Sequence, residues 1–189
     1  VPIILKETST LEEVKIVERK PDGFISTLAP IKTEVITGAE IAKGACCDLA
    51  GCFNTSASVQ PTVTNIITNS MELRILGLSG VYNQLLVDGL PLINGLSYTY
   101  GISAYPGTLI DNIYVSKGAN SVLQGYESIS GQINVILKDP DKCDTVLVNG
   151  YMNSFSEKQF NLNYADKKAR WRKLVSLHIA LPGERIDRD

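Results

Sequence analysis

The clearest pattern in the chain is a pair of alternating runs between residues 112 and 137. Apolar and polar side chains alternate over Asn112–Val115 and again over Gln132–Leu137, and a period of two is typical of half-buried strands. Gly118, Gly125 and Gly131 lie between these runs. Since glycine accepts positive φ and allows close backbone approach, the pattern predicts two strands joined through tight turns.

Shorter apolar runs predict further strands over Lys32–Thr37, Glu72–Leu76 and Asn83–Val87. Asp88-Gly89 follows the last run, and this dipeptide between two β-like runs is a strong signal for a hairpin turn. We therefore expect an α+β domain with a mixed four-stranded sheet, which contains Glu72–Leu76, Asn83–Val87 and the two alternating runs.

Helices are predicted to be short. One begins at Thr37 or Gly38, where Glu40 lies near the N-terminal end and favours the helix dipole. A second helical turn is predicted over Ala45–Phe53.

Two polar stretches indicate loops. Asn54–Asn69 is rich in Ser, Thr and Asn and predicts a strand with a loop. Asn94–Gly107 contains Tyr98, Tyr100 and Tyr105 among Gly, Ser and Pro, which predicts a long exposed loop with aromatic side chains.

After Pro140 the pattern changes to three strand-like segments, Asp144–Tyr151, Lys158–Tyr164 and Trp171–Leu181. In each segment, one face is mainly apolar and the opposite face is mainly polar. This alternation is typical of transmembrane β-barrel strands, and a small soluble antiparallel sheet would show it equally well. Periodicity therefore leaves both interpretations open.

Composition narrows the class of protein. The 189 residues carry a net charge of −2 with a pI near 5.5, which does not suggest a nucleic-acid partner. No apolar run reaches the roughly 20 residues of a transmembrane helix. The chain begins at Val1, and both a processed N-terminus and a trimmed chain are compatible with that start.

The cysteines are Cys46, Cys47, Cys52 and Cys143, and His178 is the single histidine. On a continuous helix Cys47 and Cys52 would point about 140° apart, so a bridge between them requires a break. The residues leave buried or bridged cysteines and a soft-metal site as alternatives, with the structural role preferred.

An enzyme has little support. The chain lacks a Gly-x-Ser-x-Gly elbow and a phosphate-binding glycine loop. The paired polar residues Glu127-Ser128 and Asp139/Asp141 are expected to be solvated surface. We therefore predict no catalytic residues and no cofactor.

Three blocks in order resemble the plug domain of TonB-dependent outer-membrane receptors: an arginine-containing strand ending in glycine over residues 73–80, a strand closed by Asp-Gly and an apolar-Pro pair over residues 85–92, and Ile113–Lys138. Thr37–Ile41 resembles the first helix of that family, and Leu11–Val17 resembles its TonB box. The resemblance implies an extended N-terminal segment over residues 1–30, a plug over 31–140 and the start of a barrel over 141–189, with too few strands to close it.

The resemblance also implies roles for particular residues. The TonB C-terminal domain would bind Leu11, Glu12, Glu13, Val14, Lys15, Ile16 and Val17. Structural positions of the plug would be Arg74, Gly77, Asp88, Gly89, Gly118, Gly125 and Gly131. The side chains facing substrate would be Asn65, Asn69, Asn94, Tyr98, Tyr100 and Tyr105.

The expected activity is TonB-driven import of a scarce substrate across the bacterial outer membrane, with the N-terminus in the periplasm. The Cys-Cys pair and Gly125–Gln132 resemble a subgroup associated with metal uptake, so we expect a metal ion or metal chelate, with Cys46, Cys47 and Cys52 as candidate metal ligands. This sequence departs from the family pattern at Leu76, where the family often has a second arginine. The alternatives are a glycan or cobalamin importer, or a binding or signalling module that does not transport.

Overall fold

The computed structural model describes residues 23–26, 33–44, 46, 48–65, 70–93, 100–119, 128–152, 154, 158–168 and 171–181. Within these ranges the chain forms eleven strands: β1 Gly23–Ser26, β2 Thr33–Thr37, β3 Val59–Asn65, β4 Ser70–Ile75, β5 Asn83–Val87, β6 Leu90–Ile93, β7 Ile110–Lys117, β8 Gly131–Leu137, β9 Val146–Met152, β10 Lys158–Lys168 and β11 Trp171–Leu181.

The main sheet has the strand order β1-β2-β7-β8-β5-β6. Only β5 and β8 pair in parallel, and the other neighbours are antiparallel. Every residue of β5 is buried, as expected for a parallel strand covered on both faces. The predicted mixed sheet is therefore confirmed, although the described residues give it six strands instead of four.

The prediction that Glu72–Leu76 belongs to the main sheet was wrong. The run predicted over Glu72–Leu76 is β4, which pairs with β3 in a separate two-stranded sheet. An apolar run specifies a buried strand but not its partner, and the polar sequence of Val59–Asn65 concealed that partner. Leu76 lies outside the strand, at φ +55° in a turn, with its side chain 64% exposed.

Helical structure is short, as predicted. Helix α1 is Gly38–Lys43, with Thr37 at the N-cap position and Glu40 in the first turn. In addition, 3₁₀ turns lie over Gly51–Phe53, Gly80–Tyr82, Ile102–Ala104 and Gly107–Leu109. In the described residues, no helix is long and apolar enough to cross a membrane.

Two local predictions were wrong. Among the described residues of 45–53, helical structure is limited to the 3₁₀ turn Gly51–Phe53, and Asp48 instead forms an isolated bridge with Pro106 while its carboxylate accepts the Gly51 amide at 2.8 Å. The described part of the tyrosine loop is also not an exposed loop, since Ile102 is completely buried in a 3₁₀ turn.

The core of the sheet domain lies between the main sheet, α1 and the β3–β4 hairpin. The core is built from these elements and from the neighbouring turns. Its buried side chains include Ile36, Ile41, Leu49, Phe53, Leu73, Ile75, Leu85, Ile102, Ile113 and Ile133. Each buried side chain of this size contributes about 1.5–3 kcal/mol relative to an exposed one. The hairpin is therefore part of the domain although it lies outside the main sheet.

The last three strands form an antiparallel sheet in the order β11-β10-β9. Its register places Asn161 opposite both Asn149 and His178, and Leu162 opposite Val148 and Leu177. The predicted strands after Pro140 are confirmed. One face carries Asn149, Asn161, Asn163, Ser176 and His178, and the other carries Val148, Phe160, Leu162, Val175 and Leu177.

Candidate functional site

Two tight turns have positive φ at both central residues: one joins β5 to β6, and the other follows β4 inside the isolated Ile75–Leu78 bridge. Asp88 and Gly89 have φ of +49° and +79°, and Leu76 and Gly77 have φ of +55° and +77°. Positive φ at both central residues defines the turn type that matches the twist of a hairpin. The prediction of a turn at Asp88-Gly89 is confirmed.

The Asp88 turn is bonded to the neighbouring strand β8. The Asp88 carboxylate accepts the amide of Leu137 at 3.0 Å, and the Asp88 amide donates to the carbonyl of Val135 at 2.8 Å. The Gly89 amide donates to the side-chain oxygen of Asn134 at 3.0 Å. The turn therefore fixes the end of the parallel pair as well as joining β5 to β6.

Gly118 and Gly131 meet where β7 ends and β8 begins. Gly118 has φ +88°, and its amide donates to the Ser130 carbonyl at 2.8 Å. A Cβ on Gly131 would lie 2.6 Å from the Ser116 carbonyl oxygen and 3.0 Å from the side chain of Ile75. Position 131 therefore requires glycine, because the Ser116 backbone and the Ile75 side chain leave no room for a Cβ. Gly125 lies outside the described residues.

Glu72 is the centre of a polar cluster on β4. Its carboxylate accepts hydrogen bonds from the Arg74 Nε at 2.5 Å, the Ser79 hydroxyl at 2.8 Å and the Gly80 amide at 3.3 Å. Burial alone raises the pKa of Glu72, but these hydrogen bonds and the charge of Arg74 outweigh it, so the pKa lies below its ordinary value. Arg74 therefore has an ionic partner inside the sheet domain.

Buried amides connect the two sheets of the domain. Asn83 donates to the Leu73 carbonyl at 2.5 Å, and its side-chain oxygen accepts the Ser130 hydroxyl. Gln132 donates to Gln84 at 3.1 Å across the parallel pair. Such groups are costly to bury without partners, so these contacts specify one arrangement of β4, β5 and β8.

The polar face of the last sheet lies against the main domain. Asn163, 4% exposed, donates from Nδ2 to the Thr108 carbonyl at 3.1 Å. The Ser176 hydroxyl donates to the Asn163 Oδ1 at 2.7 Å, and His178 Nδ1 lies 2.6 Å from the Asn161 Oδ1. On the other face, large apolar side chains are exposed, among them Val148, Phe160, Tyr164, Val175, Leu177 and Ile179.

Two cavities lie along this seam between the main domain and the last sheet. The smaller, about 260 Å³, is lined by residues that include Cys46, Thr108, Lys138, Tyr151 and Gln159. The larger, about 400 Å³, has Asp111, Lys138, Lys142 and Asn163 among its lining residues. The strand wall of the smaller cavity is mostly polar, with Asn149, Gln159 and Asn161, whereas the larger cavity is lined by Leu147 and Leu174 beside Asn163.

The described cysteines, Cys46, Cys52 and Cys143, form no disulfide with one another. A hydrogen bond with the thiol of Cys52 lowers the pKa of Cys46, although burial and the carboxylates of Asp48 and Glu40 act in the opposite direction. In the described ranges, no group of three or more His, Cys, Asp or Glu side chains could hold a metal ion. Cys47 lies outside those ranges, and the metal role of the cysteines stays a prediction.

The other predicted site residues are only partly described. Asn65 is exposed at the end of β3, Tyr100 is 64% exposed, and Tyr105 packs half-buried against the core. Asn69, Asn94 and Tyr98 lie outside the described residues, as does the whole segment Leu11–Val17. The substrate-facing and TonB-binding roles stay predictions.

Sequence reasoning missed the partners of the buried polar groups. It singled out Arg74 but not Glu72, and it did not single out Asn83. The available signal was a polar residue at a position that the strand alternation assigns to a buried face.

The structure combines a mixed-sheet domain with three further strands. The polar face of these strands contacts the domain, and their other face exposes apolar side chains. The TonB-dependent Receptor Plug Domain family matches residues 27–132. The chain belongs to this family, which places it at the bacterial outer membrane.

Solved receptor structures share this fold. FpvA from P. aeruginosa, bound to heterologous pyoverdines as an iron complex, matches with a TM-score of 0.63, 20% identity and coverage of 75% of this chain and 18% of that chain. The ferric yersiniabactin uptake receptor FyuA from Yersinia pestis matches with a TM-score of 0.59 and 18% identity, over 74% of this chain and 22% of that chain. The siderophore receptor PiuA from Acinetobacter baumannii matches with a TM-score of 0.59 and 21% identity, over 79% of this chain and 21% of that chain.

The chain thus spans about a fifth of the length of these receptor structures. A comparison with curated protein sequences found no match.

Proposed function

We propose that this chain is the gate, with the first wall strands, of a receptor that imports a metal ion or metal chelate across the outer membrane. The observation that carries the proposal is the seam: Asn163 bonds to Thr108 of the sheet domain, while the opposite face of the same sheet exposes apolar side chains. A domain that fills the lumen of a barrel needs a polar wall around it and an apolar surface towards lipid.

The choice of substrate class is supported by what similar structures are called. FyuA is a ferric yersiniabactin uptake receptor, PiuA is a siderophore receptor, and FpvA was solved with an iron complex. All three names refer to iron or its chelates. A glycan or a cobalamin-like substrate is the alternative, and none of these contacts points to an enzyme.

TonB would act through Leu11–Val17 by adding a strand, in which backbone hydrogen bonds supply most of the affinity. Val14→Pro removes one amide donor from that strand, whereas Val14→Ala retains it and serves as the matched control. In cells that carry the full-length receptor, Val14→Pro should abolish energy-dependent uptake and leave substrate binding unchanged, and Val14→Ala should transport.

Uptake that persists in Val14→Pro would show that this segment is not the TonB box. Binding without energy-dependent uptake in the unmodified receptor would instead favour a binding or signalling module.

A further inference from the structure

Basic residues are concentrated in the sequence where β10 turns into β11. Residues 167–173 contain no carboxylate and five cations, which are Lys167, Lys168, Arg170, Arg172 and Lys173. Trp171 begins β11 within this run, and its side chain is exposed. Because the whole chain has a net charge of −2, the positive charge is a local feature of this hairpin.

Two of these cations contact the main domain's side of the sheet. Lys167 lies opposite Arg172 in the register of β10 and β11. The Lys167 Nζ donates to the Cys143 carbonyl at 2.9 Å. The Arg172 Nη1 lies 2.8 Å from the Asp141 Oδ2. Both contacts are made to the segment that connects the main domain with β9, so they attach that segment to the last sheet.

Two other cations lie on the apolar face of the same sheet. Lys168 is opposite Trp171, and Lys173 is opposite Asp166. Because side chains alternate along a strand, these positions share a face with Tyr164. The Lys168 side chain is 83% exposed, and its Nζ lies 4.0 Å from the Asp166 carboxylate, where an exposed ion pair contributes little. Two cations and an indole therefore face outward beside one carboxylate.

The spacing of lysines along β10 matches the thickness of a membrane. Lys158 and Lys168 are the first and last residues of β10, and they share the outward face with Phe160, Leu162 and Tyr164. Ten residue steps of ~3.3 Å span about 33 Å along the strand. A tilt of about 40° reduces this to about 25 Å along the membrane normal, which is the height of the apolar band in outer-membrane barrels. The two lysines thus mark the edges of that band.

The lengths of the connections assign the basic end to the periplasmic side. Residues 169 and 170 alone connect β10 with β11, whereas residues 153–157 connect β9 with β10. Outer-membrane barrels have short periplasmic turns and longer extracellular loops. The connection from the main domain also reaches the sheet at this end, through its contacts with Lys167 and Arg172.

We propose that Lys168 and Lys173, with Trp171 beside both, bind the phosphate of an anionic phospholipid in the periplasmic leaflet. Lysine extends its ammonium to the headgroups while its stem covers apolar surface, and indole prefers the boundary between membrane and water. Basic residues at this depth attract anionic lipids. The inference rests on the proposed assignment of the last sheet to the wall of a barrel, and it is independent of the substrate.

The first test uses the full-length receptor in detergent, freed of lipid and titrated with phosphatidylglycerol or zwitterionic phosphatidylethanolamine. Native mass spectrometry measures the bound lipid, and the unmodified receptor should prefer phosphatidylglycerol. Lys168→Gln and Lys173→Gln should each reduce this preference by about 5-fold. Lys158→Gln, on the same face at the opposite edge, should leave it unchanged. An unchanged preference in the first two variants, or an equal loss in Lys158→Gln, would overturn the proposal.

A photoreactive headgroup tests the position of the site. In vesicles that contain the full-length receptor, phosphatidylglycerol with such a headgroup should cross-link within residues 166–173, and inorganic phosphate should not prevent it. Cross-links at Lys158 instead, a preference of residues 166–173 for lipopolysaccharide, or displacement by inorganic phosphate would contradict a phospholipid site.

Failure of the barrel assignment would look different from failure of the lipid site. A full-length receptor that stays soluble without detergent would refute the barrel wall and this inference together. In a receptor that requires detergent, a lipid preference that does not depend on Lys168 and Lys173 would overturn this inference alone and leave the import proposal intact.

Discussion

Glu72 connects three groups through one buried carboxylate, so its charge state affects the stability of the sheet domain. Its pKa in the folded protein lies below its ordinary value, which is about 4.3 in the unfolded chain. The stabilisation is fully present above the unfolded value and is lost as the pH falls through the lower folded value. The cluster thus stabilises the domain at neutral pH and weakens it in acid.

We expect Glu72→Gln to lower the free energy of unfolding by about 1–3 kcal/mol at neutral pH, because an amide bonds less strongly to Arg74 and Gly80. The variant should also lose part of the acid dependence of the wild type. Denaturant titrations of the full-length receptor at neutral and acid pH measure both effects.

Glu40→Gln is the matched control for Glu72→Gln. Burial, and then repulsion from Glu34, raise the pKa of Glu40, so neutralising this carboxylate should cause no loss at neutral pH. Equal losses in the two variants would contradict a specific role for the Glu72 cluster.

Gly131→Ala tests close approach at one residue. Its Cβ would meet the Ser116 carbonyl oxygen at 2.6 Å, and overpacking of this kind typically costs about 1–3 kcal/mol. Gly150→Ala is the control, because a Cβ on Gly150 in β9 meets nothing within 4 Å. Hydrogen exchange should show weaker amide protection in β7 and β8 for Gly131→Ala alone; unchanged protection there would show that the backbone shifts at no cost.

At the scale of elements, the Asp88 turn combines two requirements: positive φ, and an acceptor for the Leu137 amide. Asp88→Asn satisfies both and should change stability little. Asp88→Ala loses the acceptor and a residue type that tolerates positive φ, so we expect a loss of about 1 kcal/mol. Denaturant unfolding of the two variants makes the comparison, and equal stability would show that the carboxylate bond to β8 contributes nothing.

Sequence patterns predicted elements better than they predicted partners. The alternation in Gln132–Leu137 and the Asp88-Gly89 turn depend on neighbouring residues, so a local pattern was sufficient. The pairing of β4 with β3 depends on a segment more than ten residues distant in the register, Val59 with Ile75, and no local pattern encodes it.

At the scale of the whole molecule, the proposed import function requires a surface that binds the substrate. Tyr100 is exposed, and tyrosine offers rigid amphipathic contact at low entropic cost. We expect Tyr98→Ala and Tyr100→Ala in the full-length receptor to weaken substrate binding without unfolding the plug.

Binding of ferric chelates, corrinoids and glycans to the tyrosine variants is the measurement, with Tyr114→Ala on β7 as an exposed control outside the loop. Unchanged affinity across all three ligand classes would remove the tyrosines from the site. A loss confined to corrinoids or glycans would retain the site and contradict the metal-chelate assignment.

The strand order of the main sheet has a mechanical consequence. β1 lies at an edge with β2 as its partner, and β2 becomes the next edge once β1 has left. A tensile load on the chain before Gly23, directed across the sheet, would break the Gly23–Ile36 pairing first and proceed towards Ser26–Thr33. The hydrogen bonds would then fail singly, and the parallel pair β5–β8 would be loaded only after β2 and β7. The sheet would therefore open one strand at a time, from the edge where the chain enters it towards the parallel pair.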